Sequence, residues 1–313
     1  MSLNSLSIGL TSEGMNPTKT AHWQQSALVK TTVGAMMISF SAVWVRLAQV
    51  APTVSAFYRV GFGAVFLLII LVVRRQSLWE GRSILGPSLI AALFFALDLY
   101  AWHRCIGYVG PGLATILGNF EVFLVPVVGL MLYKERLSLR FVLAVPLAVI
   151  GLFMIVGVRW DQISPEYRIG IGWGMATAVF YTGFLVSLRR LQARPSSPSA
   201  VLSLMIVSTF SAIYLAADIL ASGESFVIPT FQSGLALVAL GLFSQTAGWL
   251  LITHSLPRIP AAIAGLLLLL QPSLAFVWDV LFFGRETSSI AWAGVVLAIG
   301  AIYMGTTGKE TSA

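Results

Sequence analysis

An all-α integral membrane protein of ten transmembrane helices, arranged as two inverted five-helix repeats, is the fold class this sequence predicts. Three observations predict it. The 313 residues are 58% hydrophobic and only 10% charged, with a mean hydropathy of +0.89, more apolar surface than a soluble domain can bury. Ten apolar segments, each close to the ~20 residues a helix needs to cross the hydrocarbon, follow one another with short connections. The layout of residues 110–136, GPGLATILGNFEVFLVPVVGLMLYKER, then returns at 261–287, AAIAGLLLLLQPSLAFVWDVLFFGRET. In that superposition Lys134-Glu135 falls on Arg285-Glu286 and Glu121 on Pro272, the mark of a duplication. The alternating ten-residue segments of an outer-membrane barrel are absent.

In chain order, residues 1–27 read as a polar cytoplasmic tail, with no basic stretch leading into an apolar core to mark a signal peptide. Segments 28–48, 54–73, 84–106, 111–133 and 138–157 make the first repeat, 28–157. Segments 169–188, 199–219, 231–253, 260–283 and 289–307 make the second, 169–307, and 308–313 is a short second tail. The longest connection, near 157–168, carries Asp161, Pro165 and Glu166 and separates the two sets. Two further correspondences support the duplication: Gly34-to-Trp44 lies on Gly174-to-Phe184, and Phe95-to-Trp102 on Leu242-to-Trp249. Five helices per repeat is an odd number, so the second repeat enters the membrane from the opposite side.

The net charge of +7 does not point to nucleic acid, because the basic residues form short clusters between apolar runs rather than a stripe. With the N-terminus inside, thirteen Lys and Arg face the cytoplasm, chiefly near 74–82 and 189–194. Six lie outside: Arg46, Arg59, Arg104, Arg159, Arg168 and Arg285. The positive-inside rule therefore places both termini in the cytoplasm of a multi-pass inner-membrane protein. Lys134-Glu135 and Arg285-Glu286 read as helix-end ion pairs that anchor the segments. A single cysteine, Cys105, excludes an intramolecular disulfide and a cysteine metal cage.

The candidate site residues are polar or aromatic groups inside the apolar segments. Asp98 with Trp102 in the third segment, and Gln245 with Trp249 in the eighth, are each four residues apart and so share a helical face. Inverted symmetry brings those faces together as a polar cavity with aromatic walls, although both tryptophans also suit an interfacial belt. Glu121 is the sharpest signal: a carboxylate at the bilayer centre costs about 2.5–3.5 kcal/mol on insertion scales, so it faces the bundle interior or a wet cavity. It shares a face with Gly118 and Val125, while Asn119 points elsewhere. Gln271-Pro272 lies at the same depth in the ninth segment, where proline frees a backbone carbonyl. Trp44 in the first segment and Tyr181 in the sixth sit on matching faces with Ser41 and Thr177. Ala261 with Gly265 and Gly294 with Ala298 supply small residues for close helix packing. No zinc-protease, P-loop, hydrolase-elbow or metal-ligand pattern is present, so catalytic residues, cofactors and metals are not expected.

The ten segments, the five-plus-five duplication and the glutamates Glu135 and Glu286 resemble the EamA-type drug/metabolite transporters over nearly the whole chain, from about Lys30 to Gly305. The strings ISFSAVWVRLA (38–48) and LDLYAWHRCIGYVGPG (97–112) resemble most the YddG-type branch of aromatic amino-acid exporters. The resemblance implies an alternating-access exporter of amino acids and similar small metabolites, not an enzyme. Its partners would be a small-molecule substrate and the lipid bilayer, with no nucleic acid and no obligatory protein partner. It also implies a central cavity lined by Trp44, Asp98, Trp102, Glu121, Tyr181, Gln245, Trp249 and Gln271. The family usually has proline where this chain has Glu121, so that residue rests on the physical argument alone. Two rivals remain open: a broad exporter of drugs or cationic compounds, and an intramembrane lipid-modifying enzyme.

Overall fold

The computed structural model describes residues 17–78, 81–133, 137–156, 165–194, 198–284 and 286–307. Residues 1–16, the tail 308–313, Lys134-Glu135-Arg136, Asp161 and Arg285 fall outside that set; the part of the expected 1–27 tail inside it, from Pro17, is helical and continuous with the first membrane segment, and Glu286 is exposed. The described residues form helices joined by short loops, without strands. Among the described residues ten helices are long and apolar enough to cross a membrane: α1 (Gln25–Ala48), α2 (Pro52–Val73), α3 (Ser83–Val109), α4 (Ala114–Leu132), α5 (Leu139–Val156), α6 (Pro165–Gln192), α7 (Ala200–Ser222), α8 (Phe231–Arg258), α9 (Ala261–Phe283) and α10 (Ser289–Thr306). Large side chains such as Val65, Ile69, Val72, Leu143, Ile150 and Val296 point outward from them, an apolar girdle that water would not tolerate and lipid does.

Local chemistry sets the ends. Ser199 and Ser288 cap α7 and α10 by accepting from the backbone N–H groups of Leu202 and Ala291. Gly223 and Gly284 close α7 and α9 in the left-handed region, at φ 71° and 60°. Helical hydrogen bonding runs unbroken from Arg82 to Gly118, yet the chain doubles back between α3 and α4. A methyl group on Gly118 would lie 3.8 Å from Trp102 Cδ1, and one on Gly174 would touch both Cys105 and Leu117.

The packing repeats itself when helix numbers are advanced by five. α6 lies along α3 and α4, and α1 lies along α8 and α9; α3 meets α7, and α2 meets α8. The pairs α2–α7 and α5–α10 map onto themselves. At the α5–α10 crossing a Cβ on Gly151 would stand 2.6 Å from the Gly294 carbonyl oxygen, and one on Gly294 would stand 2.6 Å from that of Gly151. Such reciprocal contact belongs to a two-fold relation, and Ala298 completes it beside Gly151. The residue correspondences agree as well. Gly34 of α1 is held against Ile252 of α8, and its counterpart Gly174 of α6 against Cys105 of α3, the counterpart of Ile252.

Four helices are interrupted within their spans. α1 breaks at Phe40 between Ser39 and Ser41. α8 passes through a π-helical stretch, Leu240–Gly248, where Thr246 Oγ1 donates to the Gly241 carbonyl. α4 and α9 break at matching depths, after Gly118 and after Leu268. In α9 the cause is Pro272, whose ring clashes with the carbonyl four residues back; Ser273 Oγ donates to the neighbouring Leu269 carbonyl. In α4 the break has no proline at that position. There Asn119 Nδ2 donates to the Thr115 carbonyl, a side chain competing for its own backbone.

Candidate substrate site

Three of those interruptions, in α4, α8 and α9, carry Glu121, Gln245 and Gln271. Glu121 opens the second half of α4 and has 0% of its surface exposed. Neither carboxylate oxygen makes a hydrogen bond, and the nearby Val122 N–H is committed to the Asn119 carbonyl. Asp98 of α3 is buried too. Tyr181 of α6 is close enough to feel the charges of Glu121, Asp98 and Arg59 and lies beside the Gln271 side chain. The Gln271 Nε2 is buried without a partner.

Gln245 lies in the π-helical stretch of α8, where the wider turn lifts it off the regular face it would share with Trp249. Its Oε1 accepts from Arg59 Nε at 3.2 Å, and its Nε2 donates to Ser208 Oγ of α7 at 3.0 Å. Arg59 sits in the eighth position of α2. The sequence reading counts it as an outer-loop charge; the structure places it inside the bundle, facing the centre from helix two. The available signal was an arginine about 10 Å, or two helical turns, inside an otherwise apolar segment.

An aromatic block closes one end. Phe95 of α3 stacks on Phe184 of α6 at 4.4 Å. Trp249 of α8 meets Phe184 edge-on at 5.0 Å, Phe95 at 5.9 Å and Tyr181 at 6.3 Å. Phe95, Phe184 and Trp249 are all buried. Along each helix these rings lie between the polar centre and the arginine-rich end: Phe184 before Arg189, Trp249 before Arg258, Phe95 after Arg82. On the opposite side Trp102 is half-buried against His103 and near Gly118.

Of the eight residues expected at a cavity, Asp98, Glu121, Tyr181 and Gln271 group through Tyr181, Trp249 meets Tyr181 edge-on and Gln245 joins through Arg59, while Trp102 lies near Gly118. Trp44 lies apart. It stacks on Phe243 at 6.3 Å and packs with a separate cluster of Ala48, Ala236, Leu237 and Leu240. The C-terminal half of α1 is pinned elsewhere: Arg46 pairs with Asp279 of α9 at 2.6 Å and lies over Phe283, and Trp278 Nε1 donates to Ser39 Oγ. Among the described residues no group of three metal-ligand types comes together. Four buried atoms without partners, both Glu121 oxygens, Gln271 Nε2 and Trp249 Nε1, belong to residues of this group, while others, such as Trp44 Nε1, Ser88 Oγ and Thr253 Oγ1, lie elsewhere; unpartnered polar atoms among the candidate residues suit a polar guest.

The profile of the EamA-like transporter family matches twice, over residues 26–157 and 168–307. The chain belongs to that family. Like other EamA proteins it is a transporter rather than an enzyme, a multi-pass protein with a small-molecule substrate. A pseudopaline exporter, CntI, of Pseudomonas aeruginosa (strain UCBPP-PA14) is 25% identical over 266 residues, spanning 83% of this chain and 89% of that one. An uncharacterized transporter of Haemophilus influenzae (strain ATCC 51907 / DSM 11121 / KW20 / Rd) is 23% identical, over 62% of this chain and 66% of its own. A solved crystal structure at 19% identity aligns with a TM-score of 0.76 over 90% of this chain and 98% of its own length, and so shares the fold.

Proposed function

We propose that this EamA protein exports small zwitterionic, amphiphilic metabolites, amino acids including aromatic ones first, by alternating access of the polar centre between the two sides of the cytoplasmic membrane. The observation that carries the reading is the contiguity of two chemistries: Glu121, Asp98 and Arg59 offer both signs of charge, and the Phe95–Phe184–Trp249 block adjoins them. An amino acid needs that combination, a charged backbone end and a wall for its side chain. The two repeats, 28–157 and 169–307, would rock about the centre. The aromatic block, on the arginine-rich side, would be the barrier to the cytoplasm where both termini lie. The short strings 38–48 and 97–112 favour the aromatic amino-acid branch. A second reading has its own support: two carboxylates against one arginine leave the centre net acidic, which suits a cationic drug.

Uptake of labelled phenylalanine, methionine and threonine into proteoliposomes holding the purified protein, with and without a pH gradient, tests this. Saturable uptake is expected, and its response to the gradient reports coupling. Uptake of lipophilic cations with none of any amino acid would overturn the amino-acid reading in favour of the second.

A further inference from the structure

We propose that Arg59 is the residue that binds the substrate's carboxylate, held in position by Gln245, Ser208 and Gly63. The inference rests on the polar centre being a substrate site. A guanidinium two turns inside a transmembrane helix ordinarily takes a carboxylate partner. Arg59 has none at ion-pair distance among the described residues. Asp98 acts on it only through space. Its Nε is bound to Gln245 Oε1, the Gln245 amide is spent on Ser208 Oγ, and the two Nη nitrogens make no hydrogen bond to a described residue. Gln245 and Ser208 are fully buried, whereas Arg59 keeps some exposure, so the held side of the fork is sealed and the free side is open. That free pair of N–H groups has the planar geometry that takes a carboxylate bidentately, which an amine or a thioether cannot use.

The seat is made for this arrangement. Gly63 lies one turn beyond Arg59 on the same face of α2, and a Cβ there would come within 2.4 Å of Gln245 Cγ and 2.8 Å of its Cβ. Glycine is what lets Gln245 reach Arg59. With Arg59 unquenched, Glu121 and Asp98 are left for the ammonium, and the substrate class narrows to molecules bearing a carboxylate.

Full-length protein in lipid nanodiscs, titrated with L-phenylalanine, 3-phenylpropionate and 2-phenylethylamine, provides the test. The first two should bind and the amine should bind at least about 10-fold more weakly, the scale of a charge-assisted pair. Arg59→Gln should weaken phenylalanine by about 10- to 100-fold, and Arg59→Lys, which keeps the charge but loses the fork, by less. Gly63→Ala should act in the same direction without touching the arginine. Phenylpropionate bound through Arg59 while phenylalanine is not would sink the amino-acid reading and leave this inference standing. Equal affinity in wild type and Arg59→Gln, tighter binding of the amine than of phenylalanine, or no binding of any probe would overturn it. Should Arg59→Gln not fold, the ranking of the three probes on the wild-type protein decides the question.

Discussion

Helices α6 and α3 on one side, and α1 and α8 on the other, are counterparts under the duplication and make the same glycine-seated crossing, yet one pair is straight and the other is broken. α6 runs 28 residues without interruption, while α1 snaps at Phe40 and α8 widens into a π-helix. The difference decides where equivalent residues end up. Phe184, on straight α6, sits in the buried aromatic block. Its counterpart Trp44, beyond the break in α1, swings out to a peripheral cluster and leaves its indole N–H without a partner. Likewise Gln245 and its counterpart Asp98 both reach the polar centre, but only the π-helical stretch aims Gln245 at Arg59 and Ser208. A duplicated frame therefore supplies the architecture, and local departures from regular helix supply the site.

The largest effect should come from truncating the two aromatic counterparts. Phe184→Ala removes a side chain packed on Phe95, Tyr181 and Trp249 and should cost about 3–5 kcal/mol of stability, read by thermal unfolding in detergent. Trp44→Ala, at the half-buried peripheral position, should cost less than half as much; equal losses would mean that the two sites are alike in packing. The broken pair α4 and α9 gives the next test. Glu121→Ala removes a carboxylate whose burial costs about 2.5–3.5 kcal/mol, so the protein should unfold at a higher temperature while transport of the natural substrate falls steeply. A variant that loses stability as well would show Glu121 to be a structural carboxylate.

The two crossings separate at a finer scale. Gly34→Ala pushes a methyl group to 2.7 Å from the Gly248 carbonyl oxygen, a backbone atom that cannot step aside, whereas Gly174→Ala meets the Leu117 side chain at 2.5 Å. Both should be destabilised in the range of about 1–3 kcal/mol, Gly34→Ala the more. Melting temperatures ranked the other way would show the α1–α8 crossing to be the softer one. The smallest effect belongs to the Arg46–Asp279 pair, which has no counterpart on α6 and α4. It is more than half exposed at Arg46, so Asp279→Asn should change stability by about 0.2–1 kcal/mol. A transport rate that shifts while stability does not would make the pair a latch between α1 and α9.

The sequence by itself determined the number of helices, their order and their duplication. Each of these depends on long apolar runs, and hydrocarbon admits only backbone that satisfies its own hydrogen bonds. It also announced Glu121, because a charge in such a run is costly enough to be conspicuous. Pro272 was visible too, and with it the break in α9. The tertiary structure alone decided the rest. Arg59 looked like a loop charge because helix ends are uncertain by several residues in sequence, and only the packing of α2 against α8 turns it inward. The breaks at Phe40 and Asn119 and the π-helix around Gln245 carry no proline of their own. They arise where side chains such as Asn119 and Thr246 bond their own backbone and where neighbouring helices press close. Which aromatic residues join the block and which stay outside follows from those bends, a property of ten helices packed together rather than of any one segment.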